Sequence, residues 1–369
     1  MLWFKMFRPL LDAFWSESLW LPPNVTWSDV APGAGSPRVL HTDYRHLWLA
    51  VPLAVALLAL RGVLDKYIFA PLGKTLGIKH DRNKKVSPNH ELEAAYRTNP
   101  DSKQVYALAK QLDLPERQVQ RWWRRRRLQD KPTTLVKFCE SCWRASFLCY
   151  NLVMGWSVLW DKDWLWDGDY CYIGYPHQGI TNDVWWFYMV ALGFYLSQTL
   201  SLSTDVRRKD FWQQVIHHAA TLSLMSFSWV CNTHRIGTLV MLSHDGSETL
   251  LEATKATKYA GYHRASEYMF AVFTALWIAT RIGMYSYFVV GSATFRAALF
   301  IHLAPMLRVL ICLLWVLLAL NLFWTWLILQ VAYRAIKHGQ MEGDIRSSSS
   351  EYTDSSTNTR TSRDRQIGI

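Results

Sequence analysis

Two short runs hold side chains that can move a proton or attack an acyl carbon. One is His217-His218, shortly after Arg207-Arg208-Lys209-Asp210-Phe211. The other is His244-Asp245-Gly246-Ser247-Glu248, followed by Glu252. At about 100° per residue, Asp245, Glu248 and Glu252 share one face of a helix, while His217 and His218 point about 100° apart. A histidine beside a carboxylate suits proton removal or attack by imidazole, because the carboxylate fixes the tautomer and stabilises developing positive charge. One histidine then serves as base or nucleophile while the other orients or donates. Both runs sit in apolar surroundings, where an ionisable side chain costs roughly 2.5 to 3.5 kcal/mol to insert into a membrane and marks function. A metal is the rival reading, since three His and two carboxylates could ligate zinc or iron. The HxxxH and HxxHH boxes of membrane di-iron hydroxylases are absent, so no metal is expected.

The elements that must hold these residues are indicated by composition. Of 369 residues, 50% are hydrophobic and 19% charged, and twenty are Trp. That Trp content is several times the ordinary share, and amphipathic aromatics collect at bilayer headgroups. Residues 1–46 have no apolar core ending in a small-residue cleavage site, so a cleaved signal peptide is not expected. The first apolar span is Leu47 to Leu64, just long enough for a bilayer of about 30 Å, with Arg61 able to snorkel. Six more follow: Phe138 to Leu159, Val184 to Leu202, Val215 to Val230, Ile236 to Leu251, Ala265 to Phe288 and Met306 to Ile336. The chain therefore reads as an all-α polytopic membrane protein with about seven transmembrane helices.

Loop charge orients these spans. Asp161 to Asp183 carries five Asp and one Lys, whereas Arg207-Arg208-Lys209 and Lys255, Lys258 and Arg264 mark alternate connections as basic. The positive-inside rule then makes the amino terminus lumenal and the carboxyl terminus cytosolic. Asn24-Val25-Thr26 is a glycosylation acceptor on the side this topology makes lumenal. The Ser/Thr-rich tail, 337–369, lacks core-forming residues and is expected to be disordered, with Ser347, Ser348, Ser349 and Ser350 as phosphorylation candidates. The six cysteines lie mostly in apolar runs, so neither a zinc module nor a disulfide framework is expected.

Net charge is +11, and the stretch from Lys79 to Lys137, with 15 basic and 7 acidic residues, holds most of it. Within it, Asn89 to Thr98 and Ser102 to Leu112 read as helices, and Pro115 opens a third through Gln120-Arg121-Trp122-Trp123-Arg124-Arg125-Arg126-Arg127. This resembles a homeodomain, with Arg125 where that family has the Asn that pairs with adenine. The substitution argues against sequence-specific DNA binding. Four successive Arg can grip phosphates of nucleic acid or of anionic lipid without reading sequence.

The whole chain is similar to the vertebrate-type ceramide synthases, sphingoid-base N-acyltransferases with a TRAM-LAG1-CLN8 (TLC) membrane domain. The residues that carry the likeness are Phe14-Trp15-Ser16-Glu17, Leu19-Trp20-Leu21-Pro22-Pro23-Asn24-Val25-Thr26-Trp27, the homeodomain-like segment, Arg208-Lys209-Asp210-Phe211 with His217-His218, and Arg235-Ile236-Gly237-Thr238-Leu239-Val240-Met241-Leu242-Ser243-His244-Asp245. The resemblance implies a multi-pass endoplasmic reticulum enzyme. It would transfer a fatty acyl group from acyl-CoA, a co-substrate with no bound cofactor, to the amine of sphinganine or sphingosine, giving dihydroceramide or ceramide. His217 and His218 match the paired catalytic histidines, Asp245 the first acid of HDxxD, and Glu248 stands at the second. The expected mechanism is attack by His217 to form an acyl-imidazole, with His218 and Asp245 managing protons, and direct transfer with histidine as base is the alternative. Arg207, Arg208 and Lys209, with His244, are candidates for substrate and CoA binding. A lumenal loop associated with acyl length would correspond to Val289 to Ile301, including Gly291 and Phe295. Homo- or hetero-dimers with other ceramide synthases are a further expectation. The implied domains are 1–46 lumenal, 47–64 first span, 67–128 homeodomain-like, 131–336 TLC catalytic domain and 337–369 tail. Two other readings are a membrane-tethered regulatory homeodomain-like protein and a non-catalytic lipid-binding relative that would tolerate loss of His217.

Overall fold

The structure, a computed structural model, describes residues 2–31, 41–78, 87–97, 108–130, 132–206 and 208–338. Arg207, Ser347 to Ser350 and nearly all of the 337–369 tail lie outside the described residues. The elements are α1 (Leu2–Phe14), α2 (Tyr44–Thr75), α3 (His90–Arg97), α4 (Glu116–Asp130), α5 (Thr134–Leu159), α6 (Asn182–Ser201), α7 (Phe211–Val230), α8 (His234–Tyr259), α9 (His263–Phe300) and α10 (Pro305–His338). Among the described residues there is no β-strand. Three helices, α2, α9 and α10, are long and apolar enough to cross a membrane.

Local chemistry starts these helices where the apolar runs begin. Asp43 accepts from Arg45 N at 2.8 Å ahead of α2, and the Thr133 hydroxyl accepts from Val136 N at 3.3 Å ahead of α5. Each satisfies an amide that has no partner inside its own helix. Helix α2 outruns the apolar stretch 47–64 at both ends. Its continuation includes a π-wound turn at Asp65–Phe69, where Arg61 lies 3.7 Å from Asp65 and 2.8 Å from Asp205.

Helix α8 lies at the centre and packs along α5. Its buried face is polar, with Ser243, His244, Asp245, Ser247 and Glu252 all enclosed. Close approach comes from small residues, as is usual where helices associate by packing and hydrogen bonding in lipid. A Cβ on Gly155 of α5 would come within 3.1 Å of Leu242 and Phe187, and one on Gly193 of α6 within 2.8 Å of Leu53. Helix α8 runs antiparallel to α5 and α9, whereas α2 and α6 run parallel. At one end Trp229 Nε1 donates to Asp43 O at 2.9 Å and Trp185 Nε1 to His46 Nδ1 at 3.1 Å. At the other, Arg61 and Arg144 both hold Asp205.

The basic segment has its own small core of Leu92, Val119, Trp122 and Trp123 between α3 and α4. Residues 98–107, part of the expected Ser102 to Leu112 helix, lie outside the described residues. The four successive Arg are not equivalent. Arg126 is tied to Glu93 at 2.8 Å and stacks 4.9 Å from the Tyr96 ring, leaving Arg124, Arg125 and Arg127 exposed. Outside the bundle, the hydrogen bonds that Arg126 donates to Glu93 and Asp130 raise its guanidinium further above its ordinary pKa.

One expectation is corrected. The segment Val289 to Ile301 is not a loop: α9 continues through it to Phe300, and the chain leaves the helix only at Ile301. The reason is packing, since Val289, Val290, Ala293 and Ala297 are buried, and small apolar residues every three or four positions sustain a helix against the core. Cys139-Glu140-Ser141-Cys142 has CxxC spacing, yet both sulfurs are free and Cys139 packs in an apolar cluster with Phe138 and Trp143.

Candidate active site

Asp245, with no exposed surface, accepts from both sides. Asn151 Nδ2 of α5 donates to its Oδ2 at 2.5 Å, and Tyr195 Oη of α6 donates to its Oδ1 at 3.1 Å. Two donors on two helices hold the carboxylate in one orientation, the kind of support that keeps a charged group tolerable in a low-dielectric interior. One turn on, Glu248 accepts from Arg281 Nη2 of α9 at 2.6 Å. The same guanidinium, fully buried, also donates to Ser247 Oγ at 3.2 Å, His244 O at 3.1 Å and Asn321 Oδ1 of α10 at 3.2 Å. Arg281 therefore locks α8, α9 and α10 together at the level of the carboxylates. Glu252, the third acid on the face, pairs with Lys255 at 2.6 Å.

His217 is buried on α7, its ring edge-on to Trp324 at 5.3 Å and 5.8 Å from the His218 ring. Its Nδ1 has no hydrogen-bond partner among the described residues. His218, partly exposed, has Nδ1 3.3 Å from Thr199 Oγ1. The carboxylate whose charge acts on both imidazoles is that of Glu248, while Asp245 is engaged with Asn151 and Tyr195. Asp245 is thus held one step behind the histidines.

Two cavities meet here. One runs among α7, α8, α9 and α10 between apolar side chains such as Leu224, Met225, Met241 and Leu310. The other is polar and of mixed charge, lined by Glu140, Asp205, Glu248 and Glu252 as well as by Arg144, Arg208 and Lys255. His217, Glu248 and Tyr195 line both. Asp205, in the turn between α6 and α7, anchors the polar cavity. Burial pushes its carboxyl up, but the Arg61 hydrogen bond and the nearby Arg144 charge outweigh that and hold it below the usual carboxylate range. An imidazole at the junction of a polar cavity of mixed charge and an apolar bore suits a substrate with a polar head and a long hydrocarbon chain.

Comparison with known proteins agrees. The TLC domain family matches residues 137–330, and the homeodomain family matches residues 83–132. Human ceramide synthase 4 is 39% identical over 339 residues, covering 90% of this chain and 85% of its own length. Human ceramide synthase 5 is 38% identical over 355 residues, covering 94% and 89%. Ceramide synthase 3, also human, is 37% identical over 352 residues, covering 94% and 90%. This chain belongs to the ceramide synthase family.

Within this ceramide synthase family member, the site residues singled out from sequence separate into groups. His217, His218 and Glu248 line the polar cavity, with Arg208 on its wall. Lys209 is exposed and lies outside that lining, and Arg207 is outside the described residues. His244 lines the apolar cavity instead, its Nδ1 2.7 Å from Val240 O and its ring 4.8 Å from Tyr285, so it is apart from the basic residues. Of the acyl-length candidates Ile301 lines the apolar cavity, whereas Val289, Gly291 and Phe295 do not, and Phe295 points outward. Asn24 is exposed in a turn with φ of 64°. Sequence reasoning missed Asn151, Tyr195, Arg281 and Asn321. The signal for Arg281 and Asn321 was there, because each interrupts an apolar stretch where a polar side chain is costly. Among the described residues, no group of three or more His, Cys, Asp or Glu is placed to hold a metal ion.

Proposed function

We propose that this ceramide synthase acylates the amine of sphinganine or sphingosine with a fatty acyl group from acyl-CoA, through His217. The supporting observation is that His217 stands where the polar cavity and the apolar cavity meet. Anionic CoA groups would face Arg144 and Arg208, and the acyl chain would extend into the apolar bore.

In the first step an imidazole nitrogen of His217 attacks the thioester carbon. The C–S bond breaks, an acyl-imidazole forms, and the CoA thiolate leaves toward the polar cavity. In the second step the neutral sphingoid amine attacks that acyl carbon, the C–N amide bond forms and the imidazole departs. The proton lost by the amine passes to histidine, with His218 beside the pair and Glu248 stabilising the imidazolium. Asp245 acts through Tyr195 and Asn151 as a positioning residue. A thioester is already activated, so no nucleotide hydrolysis is required.

The surroundings complete the proposal. Seven helices, α2 and α5 to α10, cross the endoplasmic reticulum membrane with the amino terminus lumenal and the carboxyl terminus cytosolic, so Asn24 is on the glycosylated side. The 67–128 segment stays cytosolic, and Arg208 and Lys255 face the compartment that supplies acyl-CoA. The test is a single turnover with labelled acyl-CoA and no sphingoid base. The unsubstituted chain should release CoA and keep the label on protein, and His217→Ala should do neither. Full turnover by an inserted His217→Ala chain would overturn the reading.

A further inference from the structure

The apolar cavity has an end as well as a beginning. Its reactive end is marked by His217, Glu248 and Leu317, and its far end by Ser228, Ile236, Ile301 and Tyr172. Along α7, from His217 to Ser228, the helix rise of about 1.5 Å per residue makes the bore about 17 Å long, and along α8, from Glu248 to Ile236, about 18 Å. Two independent helices agree. At roughly 1.3 Å per carbon of an extended chain, such a bore takes about thirteen to fourteen carbons beyond the reactive end, measured on the same helix rise.

Tyr172 comes from none of the helices that form the walls. It belongs to the 160–181 connection between α5 and α6 and is buried. Its ring stacks on Phe300 with centroids 6.1 Å apart, and its Oη lies 3.0 Å from Ser292 Oγ of α9. The same turn is fastened twice more: Arg296 Nη2 donates to Asp169 Oδ2 at 2.5 Å, and Gln178 Nε2 donates to Cys171 O at 2.9 Å. A buried aromatic ring held by hydrogen bonds on a stapled turn is a wall that does not yield readily, unlike a loose aliphatic side chain.

We infer that Tyr172 is the stop against which the methyl end of the acyl chain rests, and that it thereby sets the preferred chain length. The inference rests on the acyltransferase reading of the same site. Chains that reach the ring fill the bore, shorter ones leave apolar space empty, and longer ones would have to displace the Tyr172–Ser292 contact. The exposed residues of the α9 end, such as Phe295, have no part in it.

The test is N-acylation of sphinganine by membranes containing the full chain, with saturated acyl-CoAs from twelve to twenty-six carbons. The unsubstituted chain should prefer about fourteen carbons, the length the helix rise sets. Tyr172→Ala should move that preference to longer chains by two carbons or more, whereas Tyr172→Phe should keep it, because the ring remains. Ala297→Leu, which adds bulk to the far end, should move it to shorter chains, and Phe295→Ala should leave it unchanged. An active Tyr172→Ala with the parental profile would overturn the inference. If that variant fails to insert, an unshifted profile in active Ala297→Leu would do the same. Absence of any product from the unsubstituted chain would instead overturn the acyltransferase reading, and this inference with it.

Discussion

Arg281 and Glu248 form an ion pair 2.6 Å apart, from Nη2 to Oε1, in which the guanidinium has no exposed surface at all. The arginine comes from α9 and the acid from α8, so the contact that holds the acid facing the histidines is made between helices. Arg281→Met would leave Glu248 without its cation and His244 O, Ser247 and Asn321 without their donor. Removing one partner of a buried pair costs about 3 to 5 kcal/mol, so a large fall in thermal stability in detergent is expected together with loss of N-acylation. Arg281→Lys keeps the charge but not the planar fork that reaches four partners, and should be intermediate in both measurements.

Glu248 itself separates charge from geometry. Glu248→Gln keeps the length and loses the charge that acts on His217 and His218, whereas Glu248→Asp keeps the charge and shortens the reach to Arg281. Loss of about tenfold or more in kcat is expected for Glu248→Asp, because displacement of about 1 Å near the reacting atoms has effects of that order. A larger loss is expected for Glu248→Gln. Equal rates for both variants and the parent would remove the carboxylate from the mechanism.

Tyr195→Phe deletes one of the two hydrogen bonds to Asp245 and leaves the ring in place. A hydrogen bond to a charged group is worth about 1.5 to 3 kcal/mol, so a rate fall of at least tenfold is expected. Asn151→Leu should behave similarly, and unchanged kcat in both would show that the orientation of Asp245 does not govern turnover.

Asp205 joins α2 to α5 through Arg61 and Arg144. Because its folded pKa lies below the ordinary carboxylate value, its stabilising contribution is complete above about pH 4, the unfolded value, and is lost as pH falls through the folded pKa. Asp205→Asn should lower the melting temperature at neutral pH. It should also flatten the acid limb of the stability profile, and a parallel acid limb in the two proteins would count against the assignment.

The exposed side of α4 carries Arg117, Arg121, Arg124 and Arg125. Gel shifts on unrelated duplexes should show equal affinities that weaken together as salt rises, the behaviour of phosphate contacts without base readout. A marked preference for one duplex would reverse the inference from Arg125.

What the amino-acid order determined by itself was local and periodic. Each apolar run is helical in the structure because twenty or so such residues satisfy their backbone within one helix. The spacing of Asp245, Glu248 and Glu252 set one polar face because the helical repeat is about 3.6 residues. The basic stretch and the Pro115 helix start were legible for the same reason: charge and capping act over a few residues. Tertiary structure decided what those faces meet. Asn151, Tyr195, Arg281 and Asn321 come from four helices far apart in the chain, and nothing local distinguishes the partner of Asp245 from that of Glu248. It also turned the expected loop from Val289 to Ile301 into helix and gave Arg126 a partner in Glu93. Local periodicity specifies which side of a helix is polar. Only packing between helices specifies which donor arrives there, because that choice depends on distances between segments whose separation along the chain carries no information about their separation in space.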